Sequence, residues 1–367
     1  MAEQKGRRRS PVVVITGATA GVGRAVARAY AADGARIGLI ARGIDGLQAT
    51  AREVEALGGT PLILQTDVAD PDAVEAAAAR AEAELGPIDI WINSAFAGVL
   101  SRFIDMSLVD YRRVTDVTYH GQVHGTMAAL KRMLPRNRGS IVLVGSALAY
   151  RGIPLQAAYC GAKHAIQGFQ DSLRSELFHA GSKVQVTMVQ LPGVNTPQFD
   201  WIRNTLPKKA KPASPPYQPE IAARAIKFAA KTRRKQVVVG FPSMQAILGD
   251  MVASPLLDRY LGWVGVSGQQ DTEAKSPDHR NNLYEPVPGD HGAHGRFDNE
   301  ARRSSPMLWM TMNRNLLAVA ALGLAAGAAL LSRRDDRKGR RPLAQEAAPF
   351  LTRLKPRPDQ RNAKEAL

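Results

Sequence analysis

The sequence predicts an α/β fold, a doubly wound parallel sheet of about seven strands followed by a C-terminal extension. Three observations carry that prediction: short β-branched runs alternate with alanine-rich helical segments from residue 11 to about residue 245, a glycine-rich turn joins the first strand to the first helix, and the alternation then stops. Alternating strand and helix patterns imply right-handed crossovers, and hence a parallel sheet with helices on both faces. With 367 residues, 45% of them hydrophobic, the chain can bury a sizeable core.

The first strand is the β-branched run Val12–Thr16, which leads through TGATAGVG into a helix over Arg24–Asp33. Gly17, Gly21 and Gly23 permit a tight turn and close backbone approach, and the free amides at the following helix N-terminus favour a pyrophosphate. A glycine trio between a strand and a helix is the mark of a Rossmann-type dinucleotide site. The second strand, Arg36–Ala41, ends where such folds read the adenosine ribose, and that place holds Ala41 and Arg42 rather than a carboxylate. A carboxylate repels a 2′-phosphate, whereas an arginine offers it a planar fork. The coenzyme expected is therefore NADP(H).

Helix Asp45–Leu57, strand Pro61–Gln65, helix Pro71–Leu85 and strand Ile88–Asn93 continue the alternation. Asp67 and Asn93 fall at the carboxyl ends of strands, the edge where ligands bind in open α/β sheets. Asp67 has two readings, an adenine-side contact and a helix N-cap within DVADPD. A long helical region then runs from about Ser107 to Leu134. His120 and His124 within it are four apart, a metal-ligand spacing, but no third ligand of the right kind accompanies them; packing or interface roles are expected and no metal.

Strand Ile141–Val144 comes next, then Ser146, a loop marked by Gly152 and Pro154, helix Gln156–Ala180 and strand Val184–Gln190. Tyr159 and Lys163 are four apart on that helix and project from one face. A phenol titrates near ~10, and a cation held close favours its phenolate, so Lys163 is placed to bring Tyr159 toward the working range. The single cysteine, Cys160, excludes an internal disulfide framework and a cysteine-rich zinc site, and packing is its expected role.

With TGATAGVG, Asn93, Ser146 and YCGAK in this order, the chain resembles the short-chain dehydrogenase/reductase family from about Pro11 to Gly240. The resemblance implies a seven-stranded sheet closed by Val237–Val239 and a catalytic group of Ser146, Tyr159 and Lys163. It implies hydride transfer between NADP(H) and a small-molecule carbonyl or alcohol, with Tyr159 as acid/base. Lys163 would lower the tyrosine pKa and hold the ribose hydroxyls, and Ser146 would hold the substrate oxygen. The cofactor-binding residues implied are Gly17, Thr19, Gly21, Val22, Gly23, Arg42, Asp67, Val68, Asn93, Tyr159 and Lys163, with Thr196 on the carboxamide. A homo-oligomer through the two long central helices is also implied.

Three departures accompany the resemblance. The family's NNAG reads Asn93, Ser94, Ala95, Phe96; the helix asparagine of the proton relay falls on Thr118; and PGxxxT is one residue shorter, LPGVNTPQF. Phe96, Thr118 and the long tail motivate an alternative, a nucleotide-binding scaffold or sensor of the same fold without turnover, against which the intact Ser146, Tyr159 and Lys163 set argues. Residues 199–217, rich in Pro and Lys, correspond to the family's substrate flap and have two readings, a lid and a plain solvated loop. Phe199 and Trp201 are its apolar candidates for a substrate contact.

The formal net charge of +16 is concentrated at the extremities, in an arm over residues 1–10 and a tail over residues 333–367. No basic stripe is interleaved with aromatics, so no nucleic-acid partner is expected. No apolar stretch of signal-peptide length precedes the first strand, and a cytoplasmic location is expected. The catalytic domain is taken as residues 11–245, followed by an extension and flexible linker over 246–306, in which Gly268–Pro306 is polar and aperiodic. Residues 307–332 contain the run Leu316–Leu331, LLAVAALGLAAGAALL, whose helix would span ~27 Å against a bilayer core of ~30 Å. Two readings stay open for it: attachment to a membrane, for which the basic tail favours an anionic surface, and packing on the domain or a second subunit.

Overall fold

A computed structural model of the chain describes residues 9–212 and 215–339. The basic arm over 1–8 and the tail beyond 339 lie outside the described residues. The central element is a seven-stranded parallel sheet. Its strands are β1 (Val12–Thr16), β2 (Arg36–Ala41), β3 (Thr60–Gln65), β4 (Ile90–Asn93), β5 (Ser140–Ser146), β6 (Gln185–Leu191) and β7 (Gln236–Val238). They lie in the order β7-β6-β5-β4-β1-β2-β3. The reversal of order at β1 and β4 is the switch point that opens a crevice at the strands' carboxyl ends.

The connecting helices are α1 (Gly21–Ala31), α2 (Ile44–Ala56), α3 (Pro71–Leu85), α4 (Leu108–Thr115), α5 (Gly121–Met133), α6 (Ala157–His179) and α7 (Pro219–Ala229). Every residue of β1 is buried, because successive side chains point to opposite faces and both faces carry helices. Val13 and Ile15 enter one hydrophobic cluster with Val26 and Ile226, while Val12 and Val14 enter the other with Val74 and Met133. The long helix expected from Ser107 to Leu134 is broken by a π turn over Asp116–His120, the kind of local irregularity that concentrates at functional sites.

The boundary expected from the sequence falls at residue 245. Helix α8 (Phe241–Val264) crosses it, with a kink at Ala253 two residues before Pro255. Its residues Met251, Val252, Leu256 and Trp263 are exposed. The stretch expected to be a flexible linker instead packs on the domain. Leu283, Ala293, Phe297, Ala301 and Leu308 are buried, and the described residues up to Met312 form one compact unit. Strand Gln270–Ala274 pairs antiparallel with Lys208–Ala210 of the flap, and Val99–Leu100 pairs with Arg203–Asn204. Thus the flap is held by strand pairing both to the segment after β4 and to the extension.

The second unit begins at Asn313 and contains helix Arg314–Gly339. Leu316, Val319, Leu322 and Leu324 are exposed on it. Among the described residues no helix is long and apolar enough to cross a membrane. The side chains of the run's last residues, from 329 on, are outside the described ones.

Candidate active site

The glycine turn is pinned to the next strand. The Gly17 and Ala18 amides both donate to the Ile40 carbonyl, at 2.8 and 3.2 Å. Gly17 and Gly21 have φ of +71° and +56°, left-handed values that side chains rarely adopt. A Cβ on Gly23 would lie 2.1 Å from the Gly17 carbonyl oxygen, so only glycine lets α1 start this close to the turn. Ala20 at the N-cap supplies no side-chain acceptor, and no acid stands in the first turn. The helix N-terminus therefore keeps the positive end of its dipole uncompensated by any side chain of its own, a setting for an anion.

At the end of β2 the structure departs from the expectation of an open arginine fork. Arg42 donates from Nη1 to the Leu283 and Tyr284 carbonyls and from Nη2 to the Asn282 carbonyl. Burial and the neighbouring Arg113 pull its pKa below the ordinary arginine value, against the attraction of Asp67 and Glu285. Asp67 accepts from the Ala69 amide at 3.0 Å and from Arg113 Nη2 at 2.6 Å. Burial acts to raise its pKa, but these two donors and the Arg113 charge hold it below the usual carboxylate range. The N-cap of α3 is Asp70, which accepts from the Asp72 and Ala73 amides, so the capping reading of Asp67 does not hold.

Ser146 ends β5, and Tyr159 and Lys163 lie in the first two turns of α6. Leu155, just ahead of that helix, has φ of +70°, a strained setting for a leucine. Its carbonyl accepts from the Ser101 amide at 3.0 Å, which fixes the entry to α6. Lys163 is buried and donates from Nζ to the Val144 carbonyl at 2.7 Å; burial holds its pKa down to about 7. The ammonium stands 5.5 Å from the centre of the Tyr159 ring. Burial pushes the Tyr159 phenol above its ordinary value, a hydrogen bond with Ser146 acts in the opposite direction, and Cys160 adds to the rise. The lowering expected from Lys163 is thus not what governs Tyr159 here: desolvation dominates both groups.

The loop after β4 is remodelled where the sequence departs from the family pattern. Asn93 turns away from the cleft, donating to Thr126 Oγ1 at 3.0 Å and accepting from Trp91 Nε1 at 2.9 Å. Thr118, in the π turn, exchanges two 2.9 Å hydrogen bonds with the Ala97 backbone and so braces that loop. Phe96 sets its ring edge-on to Tyr159, with centroids 5.9 Å apart. A residue that the sequence reading passed over is Gln122, one helical turn after Thr118. It is buried and donates to the same Val144 carbonyl as Lys163, at 3.1 Å.

These groups share one cavity of about 450 Å³. Gly17, Thr19, Gly21, Val22, Gly23, Arg42, Asp67, Val68, Ser146, Tyr159, Lys163 and Thr196 all line it, whereas Asn93 does not. Its other end is apolar, walled by Phe96, Leu100, Ile153, Phe199, Trp201 and Ile202. The donor set fits a dinucleotide and a small lipophilic molecule: side-chain-free backbone, a helix N-terminus without a side-chain cap, and a hydroxyl, a phenol and an amine share the cavity with the apolar wall.

Comparison with known proteins agrees with this geometry. Residues 11–206 match the family described as short chain dehydrogenase. An uncharacterized oxidoreductase, YxnA, of Bacillus subtilis is 29% identical over 322 residues, covering 87% of this chain and 90% of that protein. That match must run into the extension. Dehydrogenase/reductase SDR family member 7B of Mus musculus is 37% identical over 182 residues, 48% of this chain and 56% of that protein. Among solved structures, a metagenomic short-chain oxidoreductase in complex with NADP superposes with a TM-score of 0.53 at 25% identity, covering 62% of this chain and 96% of that one. A short-chain dehydrogenase from Streptomyces avermitilis shares the fold with a TM-score of 0.59 at 23% identity, covering 71% of this chain and 98% of that one.

Proposed function

The chain belongs to the short-chain dehydrogenase/reductase family, and we propose that it is an NADP(H)-dependent oxidoreductase acting on a lipophilic carbonyl compound or the corresponding alcohol. The observation that carries the reading is that Ser146, Tyr159 and Lys163 line the same cavity as the glycine turn. When bound, the nicotinamide coenzyme supplies or accepts the hydride. Tyr159 gives its hydroxyl proton to the carbonyl oxygen in reduction and takes it back in oxidation. Ser146, hydrogen-bonded to Tyr159, holds the same oxygen and stabilises the charge developing on it, an effect greatest in the transition state. Lys163 holds the ribose hydroxyls and, when protonated, acts against the rise that burial imposes on the Tyr159 phenol.

NADP(H) rather than NAD(H) is supported by the missing carboxylate after β2 and by two guanidinium groups, Arg42 and Arg113, on that side of the cleft. The NADP complex of the metagenomic relative points the same way. Thr196, buried beside Gly21, is assigned to the carboxamide. Exposed Leu108, Val109 and Met127 on α4 and α5 support self-association through these helices. Contact of residues 316–331 with a membrane surface is proposed on their exposed leucines, and loss of vesicle binding on truncation before Asn313 is its test.

Assay of the purified chain with a panel of ketones, aldehydes and alcohols, each with NADP(H) and NAD(H), tests the reading. Turnover of lipophilic carbonyls with NADPH is expected. Absence of turnover on the whole panel, with coenzyme bound, would favour the scaffold reading.

A further inference from the structure

Residues 282–292 contribute to the wall of the cavity that Arg42 and Asp67 also line, and are held by two sets of anchors. At the first, Leu283 is fully buried, the Tyr284 hydroxyl donates to Asp110 Oδ1 at 2.8 Å, and the Asn282 amide donates to the Trp201 carbonyl at 3.0 Å. At the second, Asp290 pairs with Arg24, whose buried guanidinium also holds Glu53 at 3.0 Å. The Gly289 amide donates to Asp45 Oδ2 at 2.8 Å, and the Gly21 amide donates to the Gly292 carbonyl at 3.2 Å.

Pro286 and Val287 between the anchors, and Gly289 and His291 within the second set, line the same cavity as the glycine turn and Arg42. On the flap side Trp201 meets the His291 ring edge-to-face, with centroids 4.4 Å apart. Besides Asp110 and Trp201, the partners of this segment sit on the elements that would read the coenzyme: Gly21 and Arg24 on α1, Arg42 just past β2, and Asp45 on α2.

Resting on the coenzyme reading above, we infer that residues 282–292 are a clasp, the outer wall of the coenzyme site, beneath which the adenosine half is held. The carbonyls of residues 282–284 fix the Arg42 guanidinium in the wall, and Pro286 and Val287 cover the ribose side. Coenzyme leaves when the Arg24–Asp290 latch opens. Opening is resisted because Arg24 is buried, and removing one partner of a buried guanidinium leaves charge less compensated. Gating of release by such a segment appears in the dissociation rate rather than in the chemistry.

The test is stopped-flow displacement of NADPH, followed by its fluorescence, from the full-length protein and from Asp290→Asn and Tyr284→Phe, which loosen opposite ends. Hydrogen exchange over residues 282–292 is read in parallel. The clasp predicts a dissociation rate about tenfold faster in Asp290→Asn, a smaller rise in Tyr284→Phe, and slower exchange of the segment in the wild type when NADPH is added. Unchanged dissociation rates in both variants, or exchange indifferent to NADPH while NADPH binds, would overturn it. Failure of the wild type to bind NADPH or NADH would instead remove the coenzyme reading, and the clasp with it.

Discussion

Lys163 Nζ and the Val144 carbonyl oxygen are 2.7 Å apart in a buried site, and Gln122 donates to the same oxygen at 3.1 Å. The strand that carries Ser146 is thereby tied to the helix that carries Tyr159. Burial leaves the lysine with a pKa of about 7 against an ordinary 10.5. Between those values the unfolded chain binds the extra proton, so stability rises with pH through that window and the full penalty is present below it.

Replacing Lys163 with Met removes that penalty along with one hydrogen bond. The variant should gain most over the wild type below about pH 7, by an amount on the order of 1–3 kcal/mol, and the gain should shrink toward pH ~10. Thermal unfolding over that range checks it; a difference independent of pH would contradict it. Activity should be lost at every pH.

Phe96 stands where the family pattern has glycine, and its ring edge covers Tyr159. Phe96→Gly should remove an aromatic contact worth about 0.5–1.5 kcal/mol and open the apolar wall. KM for a lipophilic carbonyl is expected to rise about tenfold with kcat changed much less, the signature of lost uniform binding. A fall in kcat at constant KM would assign Phe96 a role in the chemical step.

The glycine turn and the Ser146–Tyr159–Lys163 group were legible because fixed spacing on a strand, turn or helix dictates where side chains converge. The extension was not, for physical reasons. Arg24 and Asp290 are 266 residues apart in sequence, and Leu283, Phe297 and Leu308 are single buried anchors without periodicity, so the stretch reads as a polar linker. The orientation of Asn93 was equally hidden, because its partners Trp91 and Thr126 are set by the packing of β4 on α5. Arg42 lines the cavity, but its carbonyl partners come from that unreadable extension.

Leu283 tests whether the extension belongs to the folded domain. Leu283→Ala should lower unfolding stability by about 2–5 kcal/mol, as expected for a fully buried leucine. Urea denaturation gives the value, and a loss below ~0.5 kcal/mol would mean that the segment contributes little.

Arg42→Ala should weaken NADPH binding about five- to tenfold and leave NADH binding within about twofold, because only NADPH carries the 2′-phosphate. The effect is kept modest by the carbonyls that already engage both terminal nitrogens. Isothermal titration with both coenzymes measures it, and an equal loss for the two would place the arginine in the wall alone.

The central claim is that Tyr159 is the acid/base of a nicotinamide-linked reaction. Tyr159→Phe keeps the ring and its packing against Phe96 and removes only the hydroxyl. The decisive measurement is the rate of NADPH oxidation with a reducible carbonyl, taken beside NADPH affinity, in this variant and the wild type. The account predicts a fall in rate of about 10³-fold or more with affinity nearly unchanged; a variant that turns over as fast as the wild type would contradict it.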